Sequence, residues 1–192
     1  MSKIKALLIA LVMIGVASPV EAAPSYRRQG EISDHVQLLQ TIEGLGNTVV
    51  INHPKACGDK DYNVAGFWHG AKNLFALCQE EIRTSNFPVW DGSTVVLSDD
   101  DLDTIRHEAH HIIQDCQDGV IDGRLDRYFS DPAKRAEFME SYPDWKEYKI
   151  VEEYREDGAS EHVIRLELEA WAVADLVSAE AIHSVLKREC GR

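Results

Sequence analysis

The chain has 192 residues, 44% of them hydrophobic, with 33 acidic side chains against 20 Lys and Arg and a formal charge of −13. That is length enough to bury a real core, in one domain. A chain this acidic does not suit binding to nucleic acid or anionic lipid by general electrostatics, and neither is expected as a partner.

The first 25 residues read MSKIKALLIALVMIGVASPVEAAPS. Lys3 and Lys5 form a positive start, Ile4 to Val16 is apolar apart from Lys5, and Val20 and Ala22 suit a cleavage site. Residues 1–22 are therefore expected to be a secretory signal peptide, with 23–192 as the single exported domain. The run is short for a membrane anchor, and no later segment is apolar enough to span, so no membrane contact is expected after cleavage. Lys3, Lys5 and Glu21 together carry +1, so their loss takes the charge from −13 to −14. Export could end in the periplasm or outside the cell.

Residues 23–30 read as a loose arm, and EISDHVQLLQTIEGLG (31–46) as a helix ended by Gly44 and Gly46. NTVVINH (47–53) reads as a strand followed by Pro54. Tyr62–Trp68 and Asn73–Cys78 read as two more strands joined through residues 69–72, and Thr94–Leu97 as a short strand or an extended linker. Beyond residue 117 the pattern is helical: a helix capped by Ser130 or Asp131 with Pro132 in its first turn, another from about Asp144 to Glu156, a break at Asp157-Gly158, then helix to Cys190, in one or two pieces. A small antiparallel sheet followed by helices is an α+β fold.

Cys57, Cys78, Cys116 and Cys190 are an even set in a chain bound for export, so two disulfides are expected. Of the three pairings, Cys57–Cys78 with Cys116–Cys190 is favoured. The first would staple a strand pair, and the second would tie the end of the helix described next to the C-terminus.

That helix, LSDDDLDTIRHEAHHIIQDC, carries the chemistry. Ser98 and Asp101 form a capping box, Asp99 to Asp103 suit the positive end of a helix dipole, and Leu102, Ile105, Ala109, Ile112 and Ile113 recur at helical spacing, predicting a helix over 99–117. His107 and His111 lie one turn apart on one face with Glu108 beside them. This H-E-x-x-H pattern can give one zinc ion two imidazoles and set a carboxylate to take a proton from water. His110 falls outside the pattern and reads as a flanking residue. A third ligand should come from another element. In VIRLELEAWAVAD the stripe Val163, Leu166, Ala170, Ala174 and Val177 includes Glu167, about 60° from its centre, while Glu169 lies about 100° away. A carboxylate within an apolar stripe needs a partner, so Glu167 is the expected third ligand and Glu169 a polar neighbour.

HEAHH at 107–111, with ELEAWAVA beginning 56 residues after His111, resembles the gluzincin metallopeptidases, which pair H-E-x-x-H with a glutamate on a later helix. The resemblance covers about a quarter of the chain and the two helices that carry its motifs. It implies a zincin-like fold, a small sheet packed on the motif helix, and an edge strand along the substrate, for which NLFALCQEE looks like the equivalent. It also implies zinc held by His107, His111 and Glu167, with Glu108 as general base, acting on a peptide or protein substrate. The family often has Asp or Asn where this chain has Trp171, so the bond that orients a ligand histidine must come from elsewhere. Tyr148, Tyr154, His162 and His183 are all candidates to stabilise the oxyanion. The competing readings are a non-catalytic metal-binding domain and a disulfide-stabilised exported binding domain.

Overall fold

The computed structural model describes residues 25–58, 65–79 and 97–191, with side chains from Ser33 onward. The expected signal peptide, residues 62–64 and 94–96 of two expected strands, and residues 23 and 24 of the expected arm lie outside the described residues.

Helix α1 spans Ser25–Gly44. Residues 25–30 are thus helical, not a loose arm; Gly30 is a tolerated interior glycine, costing about 1 kcal/mol relative to alanine. Just past the helix end, Gly46 adopts φ +90°.

Strands β1 (Thr48–Ile51), β2 (Gly66–His69) and β3 (Leu74–Leu77) form a sheet in the order β1-β3-β2. Its pairing is mixed rather than antiparallel throughout. Thr48 of β1 lies opposite Leu74 of β3 in parallel register, whereas Trp68 of β2 lies opposite Phe75 in antiparallel register. The stretch from residue 52 to 73 separates β1 from β3, long enough for the crossover that parallel pairing requires. Strand β3, inside NLFALCQEE, is therefore central, with Phe75, Ala76 and Leu77 buried. Among the described residues β1 and β2 are the two edges. The β2–β3 turn closes through Asn73 at φ +47°, whose N–H donates to Gly70 O at 2.9 Å.

Both favoured disulfides are present. Cys57–Cys78 joins α2 (Pro54–Cys57), a single helical turn, to the residue after β3, so it does not staple two strands. Cys116–Cys190 ties the end of the motif helix to the end of the last helix.

The motif helix α3 runs Asp99–Asp115 and continues as one tighter turn through Asp118. Its capping box is complete: Asp101 N–H donates to Ser98 Oγ, and Ser98 N–H donates to Asp101 Oδ2. Four helices follow: α4 (Pro132–Met139), capped by Asp131, α5 (Asp144–Glu156), α6 (Glu161–Leu176) and α7 (Ala179–Cys190). Helix α3 is the centre of the domain. Ile105, Ala109, Ile112 and Ile113 share its core with Leu38, Leu39 and Ile42 of α1, Phe75 and Leu77 of β3, and Ile182 and Leu186 of α7. Arg106 links three helices, donating Nε–H to Ala174 O at 2.7 Å and Nη1–H to His35 Nε2 at 2.8 Å. A second, smaller cluster of Tyr142, Leu168 and Ala172 packs α5 on α6. Among the described residues, no helix is long and apolar enough to cross a membrane.

Candidate metal centre

Helices α3 and α6 pack side by side, and their facing surfaces bring His107, His111 and Glu167 together. His107 Nε2 lies 3.0 Å from His111 Nε2 and 3.2 Å from Glu167 Oε2, and His111 Nε2 lies 3.4 Å from the same oxygen. Ligand atoms bound at about 2.0 Å around a tetrahedral ion stand about 3.3 Å apart, so this triangle matches one face of such a tetrahedron. Among the described residues it is the one group of three or more His, Cys, Asp or Glu side chains that converges in this way. All three residues are buried.

The charges follow from that burial. Desolvation opposes ionisation of Glu167, but the adjacent His111 and His107 imidazoles outweigh it and hold the carboxyl well below the usual range. Desolvation likewise opposes charging of His111, yet Glu167 and Glu108 push it up to about 9. Without a metal, the group therefore keeps a proton between imidazole and carboxylate.

Each corner of the triangle has a different support. His111 Nδ1–H donates to Gln114 Oε1 at 2.7 Å, which leaves its Nε2 lone pair on the triangle. Glu167 Oε2 also accepts from the Tyr154 hydroxyl at 2.8 Å. His107 Nδ1 is buried with no hydrogen-bond partner among the described residues, and its ring rests against Trp171 with centroids 4.4 Å apart. Trp171, where the gluzincin pattern favours Asp or Asn, thus supports His107 by packing alone, and its indole N–H faces the Tyr154 hydroxyl. The orienting bond that Trp171 cannot make is supplied to the other histidine, by Gln114. The sequence reading missed Gln114. Its available signal was a buried amide one turn beyond His111, following two core isoleucines.

Glu108 points the other way, toward the sheet. Its Oε2 accepts the main-chain N–H of Trp68 at 2.8 Å. That N–H faces out from β2, because the β2–β3 ladder is bonded through Ala65, as in Cys78 N–H to Ala65 O, and alternate residues. Close approach of helix and strand depends on Gly66. A Cβ there would stand 2.6 Å from Thr104 Cγ2 and 2.8 Å from Ala76 O. Burial raises the Glu108 pKa, with His107, His111 and the Trp68 N–H acting against it.

Two residues that the sequence reading set outside the ligand group lie outside it and are buried. His110, the flanking histidine, is bonded to Glu169 at 3.0 Å. Glu169 is fully buried, because the 119–131 loop covers the side of α6 that the apolar stripe does not mark. Of the four oxyanion candidates, only Tyr154 touches the triangle. Tyr148 is 69% exposed, and His183 lies on α7 near Asp34 and Lys187. His162 lines a polar cavity of about 450 Å³ on the far side of Gln114, together with Asp115, Asp118 and Asp126.

Fold and site together define a small disulfide-bonded α+β protein with a buried two-histidine, one-carboxylate group of metal-binding geometry. Residues 27–191 match the family model of a domain of unknown function, DUF8637, and the chain belongs to that family. Comparison with curated proteins gave no match, and comparison with solved structures gave none.

Proposed function

We propose that the protein is an exported, zinc-dependent metallopeptidase of gluzincin type with a zincin-like fold. The observation that carries this reading is the triangle of His107 Nε2, His111 Nε2 and Glu167 Oε2, built from H-E-x-x-H on one helix and a glutamate on another. Two imidazoles and a carboxylate suit zinc, with one coordination position left for water or substrate. A structural site has no use for Glu108, a carboxylate held beside the ligands and outside the triangle. The sheet packed on α3 fits the zincin-like expectation, although the edge strand beside Glu108 is β2 and not the expected NLFALCQEE strand. Two disulfides fit an oxidising compartment, and the family match begins at residue 27, beyond the expected cleavage point.

Zinc bound at the triangle would supply Lewis acidity for water and for the scissile carbonyl. The remaining work falls to the chain. Glu108 takes the proton of the attacking water and returns it to the leaving amine, and its upward-shifted pKa suits both transfers. The Trp68 N–H fixes the carboxylate's orientation. The Tyr154 hydroxyl, which donates to Glu167 Oε2, is the candidate oxyanion donor nearest the ligands and would turn from that carboxylate to meet negative charge on the carbonyl oxygen.

The test is metal content and peptide cleavage of the processed protein. About one zinc per chain is expected. Cleavage of a mixed peptide library should be lost to a chelator and restored by zinc. Protein that binds no zinc defeats the reading, and so does zinc-loaded protein that cleaves no peptide.

A further inference from the structure

We infer that Glu169 is a positioning residue for His111, acting through the Gln114 amide, and that the same carboxylate couples docking of the 119–131 loop to metal affinity. The inference rests on the proposed ligand set for its metal arm only.

The argument begins with the amide of Gln114. Its two ends present opposite chemistry, and only one orientation leaves His111 ready for a metal. With the oxygen toward His111, Nδ1 must carry the proton and Nε2 keeps its lone pair; reversed, the amide nitrogen would demand a lone pair on Nδ1 and put the proton on Nε2. The surroundings choose the first. Gln114 Nε2 faces two acceptors, Leu166 O and Glu169 Oε1, each at 3.1 Å. A carboxylate cannot donate, so Glu169 fixes which end of the amide points at it.

Glu169 is itself held by the loop. Its Oε1 also accepts from His110 Nε2 at 3.0 Å and Tyr128 N–H at 2.9 Å, and its Oε2 accepts from Phe129 N–H at 3.3 Å. Asp126 N–H donates to the main-chain oxygen of Gln114 at 3.0 Å. At the loop's other end Gly123 lies against the β2–β3 turn so closely that a Cβ on Gly70 would stand 2.5 Å from Gly123 Cα. Undocking the loop would leave a fully buried carboxylate short of two of its four donors, and the amide would lose its fixed reference. Whatever the loop does to the amide, metal bound at His111 must do in return to the loop.

The experiment uses the processed chain and two variants, Glu169→Gln and Gln114→Glu. Glu169→Gln removes the charge that holds the Gln114 amide and, with its oxygen kept toward Gln114, sets an NH2 group against the Phe129 N–H. Gln114→Glu sets a carboxylate against Leu166 O and Glu169. Zinc affinity, measured by chelator competition, should fall about 10–100-fold in each variant, as is usual when an outer partner of a metal ligand is lost. The His111 Nδ1–H of the zinc-loaded protein, read by NMR as a slowly exchanging imidazole proton, should be sharp in the wild type and broadened in Glu169→Gln. The coupling is read without metal, by amide hydrogen exchange at Tyr128 and Phe129. In metal-free Gln114→Leu these two amides should exchange faster while those of α7 are unchanged. Wild-type affinity in Glu169→Gln, an unchanged His111 Nδ1–H signal in that variant, or unchanged exchange at both amides would overturn the inference. Absence of zinc binding in the wild type would instead count against the ligand set, and the exchange measurement would still decide the coupling.

Discussion

Helices α3 and α6 meet through two histidine–glutamate contacts that are neighbours in sequence and opposite in character. In one, His110 and Glu169 form a closed lock: the carboxylate collects four donors, from the imidazole, the Gln114 amide and two loop amides. In the other, His107, His111 and Glu167 crowd three acceptor-capable atoms within 3.4 Å, and among the described residues only Tyr154 contributes a donor from outside the group. Burial is similar at both. A buried carboxylate with its full complement of N–H groups needs nothing further. Two imidazole nitrogens and a carboxylate oxygen facing one another have lone pairs to spare, and a cation answers that shortage. The deficit of donors marks a candidate metal centre, more than the presence of histidine does.

The largest expected effect is on catalysis, next to the open group. Glu108→Gln keeps the shape and can still accept from the Trp68 N–H, but cannot take up a proton at neutral pH. Turnover of peptide should fall by at least about 10²–10⁴-fold, the usual contribution of a general base, while zinc content stays at the wild-type level. Full activity in this variant would remove Glu108 from the mechanism whatever the metal does.

Next come variants that should separate the two groups. His107→Ala, His111→Ala and Glu167→Gln should each lose zinc from a protein that remains folded. Glu169→Ala should act first on the fold, weakening zinc only indirectly through Gln114: breaking a buried, fully bonded charge costs about 3–5 kcal/mol, read as a lower midpoint in urea unfolding. His110→Ala should also destabilise, by about 1–3 kcal/mol, since one donor is taken from a buried carboxylate. Should Glu167→Gln retain zinc while His110→Ala loses it, lock and metal site have been assigned the wrong way round.

The two groups should also respond to pH in opposite directions. His111 in the metal-free protein is raised from 6.5 to about 9, so its contribution to stability is complete below 6.5 and lost as pH rises through about 9. Zinc must displace that proton, so binding should tighten over the same interval. The gap in Tm between zinc-loaded and metal-free protein should widen from pH 6.5 to 9, and a constant gap would show that no such proton is held. The lock behaves otherwise. Burial lowers the His110 pKa, and the bonds from His110 and Gln114 hold Glu169 low against its own desolvation. A depressed histidine loses stability as pH falls through its unfolded value of 6.5, and a depressed carboxylate as pH falls further. The His111→Ala protein keeps the lock and lacks the proton-holding group, so its stability should decline only on the acid side.

The motif helix was legible in sequence because everything that defines it is local: a capping box, a 3.6-residue apolar period and H-E-x-x-H within one turn. Glu167 could be found by adding one geometric step, its angle within the apolar stripe of α6. The same step set Glu169 outside the ligand group but gave no sign of its burial, since a helical wheel marks the face against the main core and is blind to a loop covering a second side. Strand positions were readable within a few residues, but not the parallel pairing of β1 with β3. Period-two alternation says which face a residue occupies and nothing of which strand lies beside it. Gln114, Tyr154 and the Trp68 N–H join the site through contacts spanning up to 55 residues in sequence, and one of them is a main-chain group that any residue but proline could supply.

The smallest effect is expected at Trp171, and it bears on how His107 is held. Its indole ring packs on the His107 imidazole, and its N–H faces the Tyr154 hydroxyl that in turn bonds Glu167. Trp171→Phe keeps an aromatic face against the imidazole and removes only the N–H. If packing orients His107, zinc affinity should stay within about tenfold of wild type, below the loss usual when a hydrogen-bonding outer partner is removed. Tyr154→Phe supplies the comparison, since it removes the hydroxyl itself and should cost more in kcat than in zinc affinity. A larger loss of zinc from Trp171→Phe than from Tyr154→Phe would mean that the indole N–H, not the ring, does the orienting. His107 would then depend on a hydrogen-bond chain through Tyr154 and Glu167, as His111 depends on one through Gln114.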